Sequence, residues 1–261
     1  MSIATYPDQL EPENQDAVIC RFLNMRKFRD LITNAELYVC RADLFHRDER
    51  EGLPPEEYLA TFGLHPLDVN GRRELLNHIG SDAQFREAFY VNCWCLFDEE
   101  TSQMWNEYGN EGVAVKSRYR LLKSALDALP DPAYIGLVRY GARHMIGKRA
   151  NIFRYITTKR SEYSHEREVR AFLWIPDLHA GINRHYDAEN GVHPRPLTPP
   201  PSYIPKEQRR TIDLQALIAE IVVSPRMSST TVDEIGRLVS DAGYEIAVRQ
   251  SELARYAAFL P

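Results

Sequence analysis

The chain has 261 residues, with 37 acidic and 32 basic side chains, a formal net charge of −5 and a hydrophobic content of 44%. That length can bury a real core as one large domain or two small ones. The acidic balance excludes a protein whose whole surface grips nucleic acid or anionic membrane.

No apolar run approaches the length needed to span a bilayer. The opening MSIATYPDQLEPENQDAV lacks the basic start and apolar stretch of a signal peptide. Four cysteines (Cys20, Cys40, Cys93, Cys95) are too few for a disulfide framework and predict reduced thiols in a cytoplasmic protein.

Residues 1–17 are expected as a loose arm, and 18–261 as a single domain. The segment AVICRFLNMRKFRDLITNAELYVCRADLF predicts strand, helix, strand, with Asn24 as N-cap and Asn34 near the C-cap. Residues 46–70 read as a charged excursion, and GRRELLNHIGSDAQFREAF as helix. FYVNCWCLF, rich in aromatic and β-branched residues, predicts a central strand. EETSQMWNEYG follows as a helical turn, EGVAVKS as a strand and SRYRLLKSALDALPD as a helix. IGLVRYGAR is the next strand, RANIFRYITTKRSEYSHE is mixed helix, and VRAFLWIP is a strand stopped by Pro176.

From 177 to 211 the chain reads as irregular, with a proline-rich loop at 194–205 that cannot be helix or central strand. Strand, helix and strand close the chain in LIAEIVVSP, SSTTVDEIGRLVSDAG and YEIAVRQ. The whole predicts an α+β fold with six or seven strands and helices at the sides.

None of GxGxxG, a P-loop, GxSxG or HExxH is present. CWC puts two thiols on one strand face, but zinc sites use longer spacers and further ligands, so no metal is expected. Chemistry must come from weaker signals. In SHEREVRAFLWI a strand register would point Glu166, Glu168 and Arg170 to one face. Paired carboxylates repel, which suits acid–base work or the gripping of a ribose diol. The alternative is a final helical turn in which Glu166 and Arg170 form an i,i+4 pair.

Arg21 is a lone cation inside an apolar strand, shaped for a phosphate or else reaching water at a strand edge. Arg41 is a lesser candidate of the same kind. Trp94, Trp105 and Tyr108 could stack on a nucleotide ring or pack in the core.

These segments carry a likeness. VNCWCLFDEETSQMWNEYGNEGVAV, then KRSEYSHEREVRAF, with the early CRFLNMRKFRDLITNAELYVCRADLF, resembles a bacterial family known only as a domain of unknown function. That family has Phe-Asn-Asp-Pro after the second strand, where this chain has Phe45-His46-Arg47-Asp48. More weakly, the element order resembles the ADP-ribosyltransferase fold, in its DNA-modifying toxin branch.

The resemblance implies a split antiparallel sheet and NAD as substrate. Arg21 would hold its phosphates, Tyr108, Trp94 and Arg170 would contact it, and Glu168 or Glu166 would stabilise an oxocarbenium-like transition state. It further implies transfer of ADP-ribose to an acceptor macromolecule or to water, a role as toxin or in phage defence, and a neutralising partner protein. The middle strand of that fold offers Ser, Thr or Tyr, where this chain has Asn92, Cys93 and Trp94. Two alternatives stand beside this reading: a non-catalytic module that senses a nucleotide or binds a protein, and a metal-dependent nuclease using Glu166 and Glu168.

Overall fold

A computed structural model describes residues 3–45, 86–97, 99–141, 152–175 and 204–259. The chain opens with β1 (Val18–Asn24), α1 (Met25–Asn34) and β2 (Glu36–Arg41), and resumes at β3 (Phe89–Leu96). A short α2 (Ser102–Met104) runs into a π turn (Trp105–Gly109), followed by β4 (Gly112–Arg118), α3 (Tyr119–Asp127), β5 (Ala133–Leu137) and β6 (Arg139–Tyr140). Next come α4 (Ile152–Ile156), β7 (Thr158–Lys159), a 3-10 turn (Ser161–Glu166) and β8 (Glu168–Trp174). The last part holds β9 (Glu207–Thr211), α5 (Leu214–Leu217), β10 (Glu220–Val223), α6 (Ser229–Asp241) and β11 (Ala247–Gln250).

Local chemistry accounts for the first of these. Asn24 caps α1 by accepting from the Lys27 amide at 2.9 Å, as expected. The left-handed closing residue is Ala35 (φ 52°), one position beyond the predicted Asn34, and its amide reaches the Leu31 carbonyl. Phe28 and Ile32, one turn apart, bury the helix against the sheet.

Among the described residues nine strands form one sheet, and β6 and β7 a second, small parallel one. All main-sheet pairings are antiparallel except β10 with β11. The fold is therefore α+β, as predicted, but with more strands than six or seven. IGLVRYGAR divides into β5 and β6, and β9 lies where irregular chain was expected. Its sequence, EQRRT, has no apolar alternation, and it pairs with β2 from Glu36↔Thr211 to Cys40↔Glu207.

The centre of the sheet is open along one edge of β3. β1 pairs with β3 only at Ile19↔Leu96 and Cys20↔Cys95, and β2 only at Cys40↔Val91 and Arg41↔Tyr90. Between them Asn92, Cys93 and Trp94 face no strand on that edge, while β8 covers the other edge throughout. Cross-strand partners share a face, so register assigns the two surfaces. On one, Ile19, Leu23, Trp94 and Val115 join Phe28, Leu122 and Ile235 of α1, α3 and α6 in the main core. On the other, Val91 and Phe172 pack under Tyr6 and Ile156.

The described part of the N-terminal arm, expected to be loose, is anchored to that second face. Ala4 donates to the Ala133 carbonyl, and Leu137 to that of Leu10. Tyr6, 5% exposed, stacks on Phe153 at 5.6 Å and meets Phe172 at 5.5 Å. The residues of the excursion at 46–70 and most of the proline-rich loop lie outside the described residues. Ile204 and Pro205 are described, and their carbonyls accept from Arg41, which also binds Asp43. Arg41 is thus spent on tying chain segments together.

Candidate functional site: a cleft at the split in the sheet

Where β1 and β2 part, a cavity of about 470 Å³ opens, and Arg21, Trp94, Tyr108, Glu166 and Glu168 all line it. Five of the six residues that the resemblance assigns to a site thus line one cavity. They do not arrive alike. Cys20 opposes Cys95, and Cys95 opposes Glu168, so these three share a face; Arg21, next along β1, leaves by the other face with Val115. Arg21 and Glu168 border one space because the sheet has no strand between β1 and β2 there.

The carboxylate end is built on a turn. The 3-10 segment Ser161–Glu166 closes at Arg167, whose left-handed φ of 45° swings the chain into β8. Glu166 therefore sits in the turn and Glu168 starts the strand, so neither the continuous strand nor the i,i+4 pair of the sequence reading occurs. Both carboxylates converge on Lys159 of β7, Nζ lying 2.5 Å from Glu166 Oε2 and 3.4 Å from Glu168 Oε2. All three side chains are under a tenth exposed. The Tyr108 hydroxyl donates to Glu166 Oε1. His165 Nε2 lies 3.2 Å from Glu107 Oε2, a second tie between the π turn and the 3-10 turn.

Arg170, the sixth residue, lies behind Glu168 and does not line the cavity. Its Nε and Nη2 reach the two Glu168 oxygens at 2.7 and 2.9 Å, its Nη1 reaches the Ile156 carbonyl at 2.5 Å, and it is 1% exposed. It orients Glu168 and is shielded from any cleft ligand. Burial raises the Glu168 carboxyl to about 7, with Lys159 pulling it down. The two-pronged bond from Arg170 needs acceptors on both oxygens, and so keeps the anion as the working form above neutrality. Burial, and then Glu168 itself, push the Cys93 thiol well above its usual value, leaving it a neutral donor. The Tyr140 hydroxyl accepts from the Glu168 amide at 2.7 Å.

At the other end, Arg21 is half-buried, and among the described residues no hydrogen bond or ion pair holds it. Burial keeps its guanidinium below the usual arginine value. The walls between the two ends include Phe22, Leu44, Phe45 and Met104. Trp94 is 4% exposed, and its Nε1 donates at 2.6 Å to Asn92 Oδ1, whose amide in turn donates to the Tyr38 carbonyl. Trp105 is core, edge-on to Phe22 at 4.9 Å. A β-carbon on Gly109 would stand 2.6 Å from both rings, which explains glycine at the end of the π turn.

Sequence reasoning missed Lys159, Lys27 and Tyr140. Lys159 stood in the quoted KRSEYSHE, but only folding reveals that it bridges the glutamates. Among the described residues no three His, Cys, Asp or Glu side chains are grouped as metal ligands, and no helix is long and apolar enough to cross a membrane. Comparison of the chain with protein-family models, curated proteins and solved structures finds no match in any of the three.

Proposed function

We propose that the cleft binds a nicotinamide dinucleotide and cleaves its nicotinamide–ribose bond, passing ADP-ribose to water or to an acceptor. The observation that carries this reading is that an unpaired guanidinium and a buried carboxylate pair border one cavity, with an aromatic and apolar wall between them. A volume of about 470 Å³ falls within the range of small-molecule sites. The parting of β1 from β2, with Arg21 on the first strand and Glu168 on a later one, agrees with the resemblance to ADP-ribosyltransferases, as does the order of the elements. The toxin or phage-defence role, with its neutralising partner, comes from that resemblance alone.

In this chemistry the C–N bond to nicotinamide breaks and its electron pair leaves with the neutral ring. Positive charge develops on the ribose, and a fixed carboxylate nearby stabilises it. Water or an acceptor hydroxyl then attacks C1′ and releases a proton. Glu168, oriented by Arg170, is placed for the charge-stabilising role. Glu166, held by Tyr108 and Lys159, is the neighbour that can take the proton.

One observation favours a second reading, binding without turnover. Both oxygens of Glu168 are already engaged by Arg170 and Lys159, so a ribose hydroxyl must displace or share one of these bonds. Incubation with NAD while free nicotinamide is followed by chromatography separates the two. Release that falls at least a hundredfold in Glu168→Gln supports cleavage; NAD bound but recovered intact supports sensing. Equal release by wild type and Glu168→Gln removes the mechanism.

A further inference from the structure

Beside the large cavity lies a smaller one of about 190 Å³, and Arg21, Leu23, Lys27 and Tyr38 border both. Its charges fall into two sets. Arg209 of β9 gathers all three carboxylates, with Nη1 2.8 Å from Asp30 and 3.5 Å from Glu36, and Nε 3.0 Å from Glu207. Its guanidinium lies over the Tyr38 ring at 5.3 Å. The other set is Arg21, Arg26 and Lys27, which also line this cavity. Among the described residues none of these three side chains makes a hydrogen bond or ion pair.

Three unpaired cations do not gather without cost. Lys27 is exposed as a residue, yet it lines both cavities, and burial first and Arg21 second hold its ammonium below its ordinary value. Lys27 and Arg26 also occupy the first turn of α1, which has no acidic residue, so both oppose the helix dipole. Helix stability and packing are both worse for having them there. An anion in the smaller cavity relieves all three at once.

We propose that the smaller cavity seats the phosphate of a small nucleotide whose base and sugar occupy the larger one, with Arg21 shared between the two and Lys27 and Arg26 closing over the charge. This rests on the reading of the large cavity as a nucleotide site and names the residues that would hold its phosphate. Lysine and arginine together suit a phosphate, as point charge and planar fork. A nucleic-acid strand is the wrong occupant, because the chain as a whole carries −5.

The test compares ADP with adenosine by titration calorimetry on the full chain. ADP is expected to bind roughly ten- to a hundredfold more tightly, the worth of one or two charge-assisted bonds. Lys27→Gln combined with Arg26→Gln removes most of that preference and does not lower the melting temperature, because both residues are exposed and oppose the helix dipole. Lys27→Arg restores the preference. Equal affinity for ADP and adenosine, no binding of either, or a preference that survives the double substitution overturns the proposal. So does a single-stranded oligonucleotide that competes as well as ADP. The reading of the cleft as glycosidic fails separately: ADP preference without nicotinamide release leaves the phosphate seat standing, whereas release with ADP and adenosine bound equally sinks only the seat.

Discussion

Replacing Lys159 by methionine keeps the bulk of the side chain and removes its charge. In the native cleft the lysine Nζ lies 2.5 Å from Glu166 and 3.4 Å from Glu168, with the three side chains 9%, 6% and 5% exposed. Breaking a buried ion pair by deleting one partner costs about 3–5 kcal/mol, because the remaining charge is stranded. Here Arg170 still holds Glu168, so the stranded group is chiefly Glu166, left with the Tyr108 hydroxyl and a like charge beside it.

The sign with pH follows. Without the lysine the Glu168 carboxyl rises further above its ordinary value, so the stability deficit is full at high pH and shrinks as that group takes up a proton. Urea unfolding is expected to show a loss of about 3–5 kcal/mol at pH 8.5 and less than half of that at pH 5. The surface pair Arg120–Asp16, 55% exposed on both sides, is the control; Asp16→Asn should leave the urea midpoint nearly unchanged. Should Lys159→Met fail to fold at pH 8.5, adding Glu166→Gln restores it. A loss below about 1 kcal/mol, or an equal loss at both pH values, refutes the claim that Lys159 neutralises a buried carboxylate pair.

Glu168 itself carries a raised carboxyl, so its contribution to stability is greatest below its ordinary value near 4.5 and declines as pH rises toward about 7. Glu168→Gln should therefore flatten the fall in melting temperature across that window, and an unchanged slope would contradict it. Glu87, raised by burial to about 7, sustains the remaining slope. In Gly136→Ala the new β-carbon would stand 2.0 Å from the Tyr6 hydroxyl. The arm should detach at a cost of about 1–3 kcal/mol and become open to limited proteolysis near residue 6; wild-type protease resistance counts against it. Cys20, fully buried with its sulfur 2.9 Å from that of Cys95 across the strand pair, should resist iodoacetamide in the native state far longer than the half-buried Cys40. Alkylation of Cys20 as fast as Cys40 would refute the packing at that strand pair.

Much of the fold can be read from local patterns. The Asn24 cap, the helical spacing of Phe28 and Ile32, and the apolar run of β8 each contain their own instruction, because capping and periodicity act within a few residues. β9 could not be read in this way: EQRRT contributes ion pairs to a neighbouring strand and helix, and only the partners Asp30 and Glu36 make it a strand. The site is legible to a similar degree. A cation in an apolar strand and a carboxylate cluster at the mouth of another signal something in need of partners. Which partners they find depends on register, and Lys159 and Lys27 gave no sign in isolation.

Strand alternation taken by itself would separate Arg21 from Glu168, since it sends them to opposite faces of the sheet. The gap in the sheet reverses that conclusion. β1 peels away after Cys20, α1 bridges the interval, and β2 rejoins the same edge of β3 at Cys40, so among the described residues no strand neighbours residues 92–94 on that edge. An open edge inside a core needs its polar groups satisfied. The fully buried Asn92 does this by spanning from the Trp94 indole to the Tyr38 carbonyl. Asn92 and Trp94 thus have a physical task of their own. They span the gap where a cation from one face shares a cavity with an anion from the other.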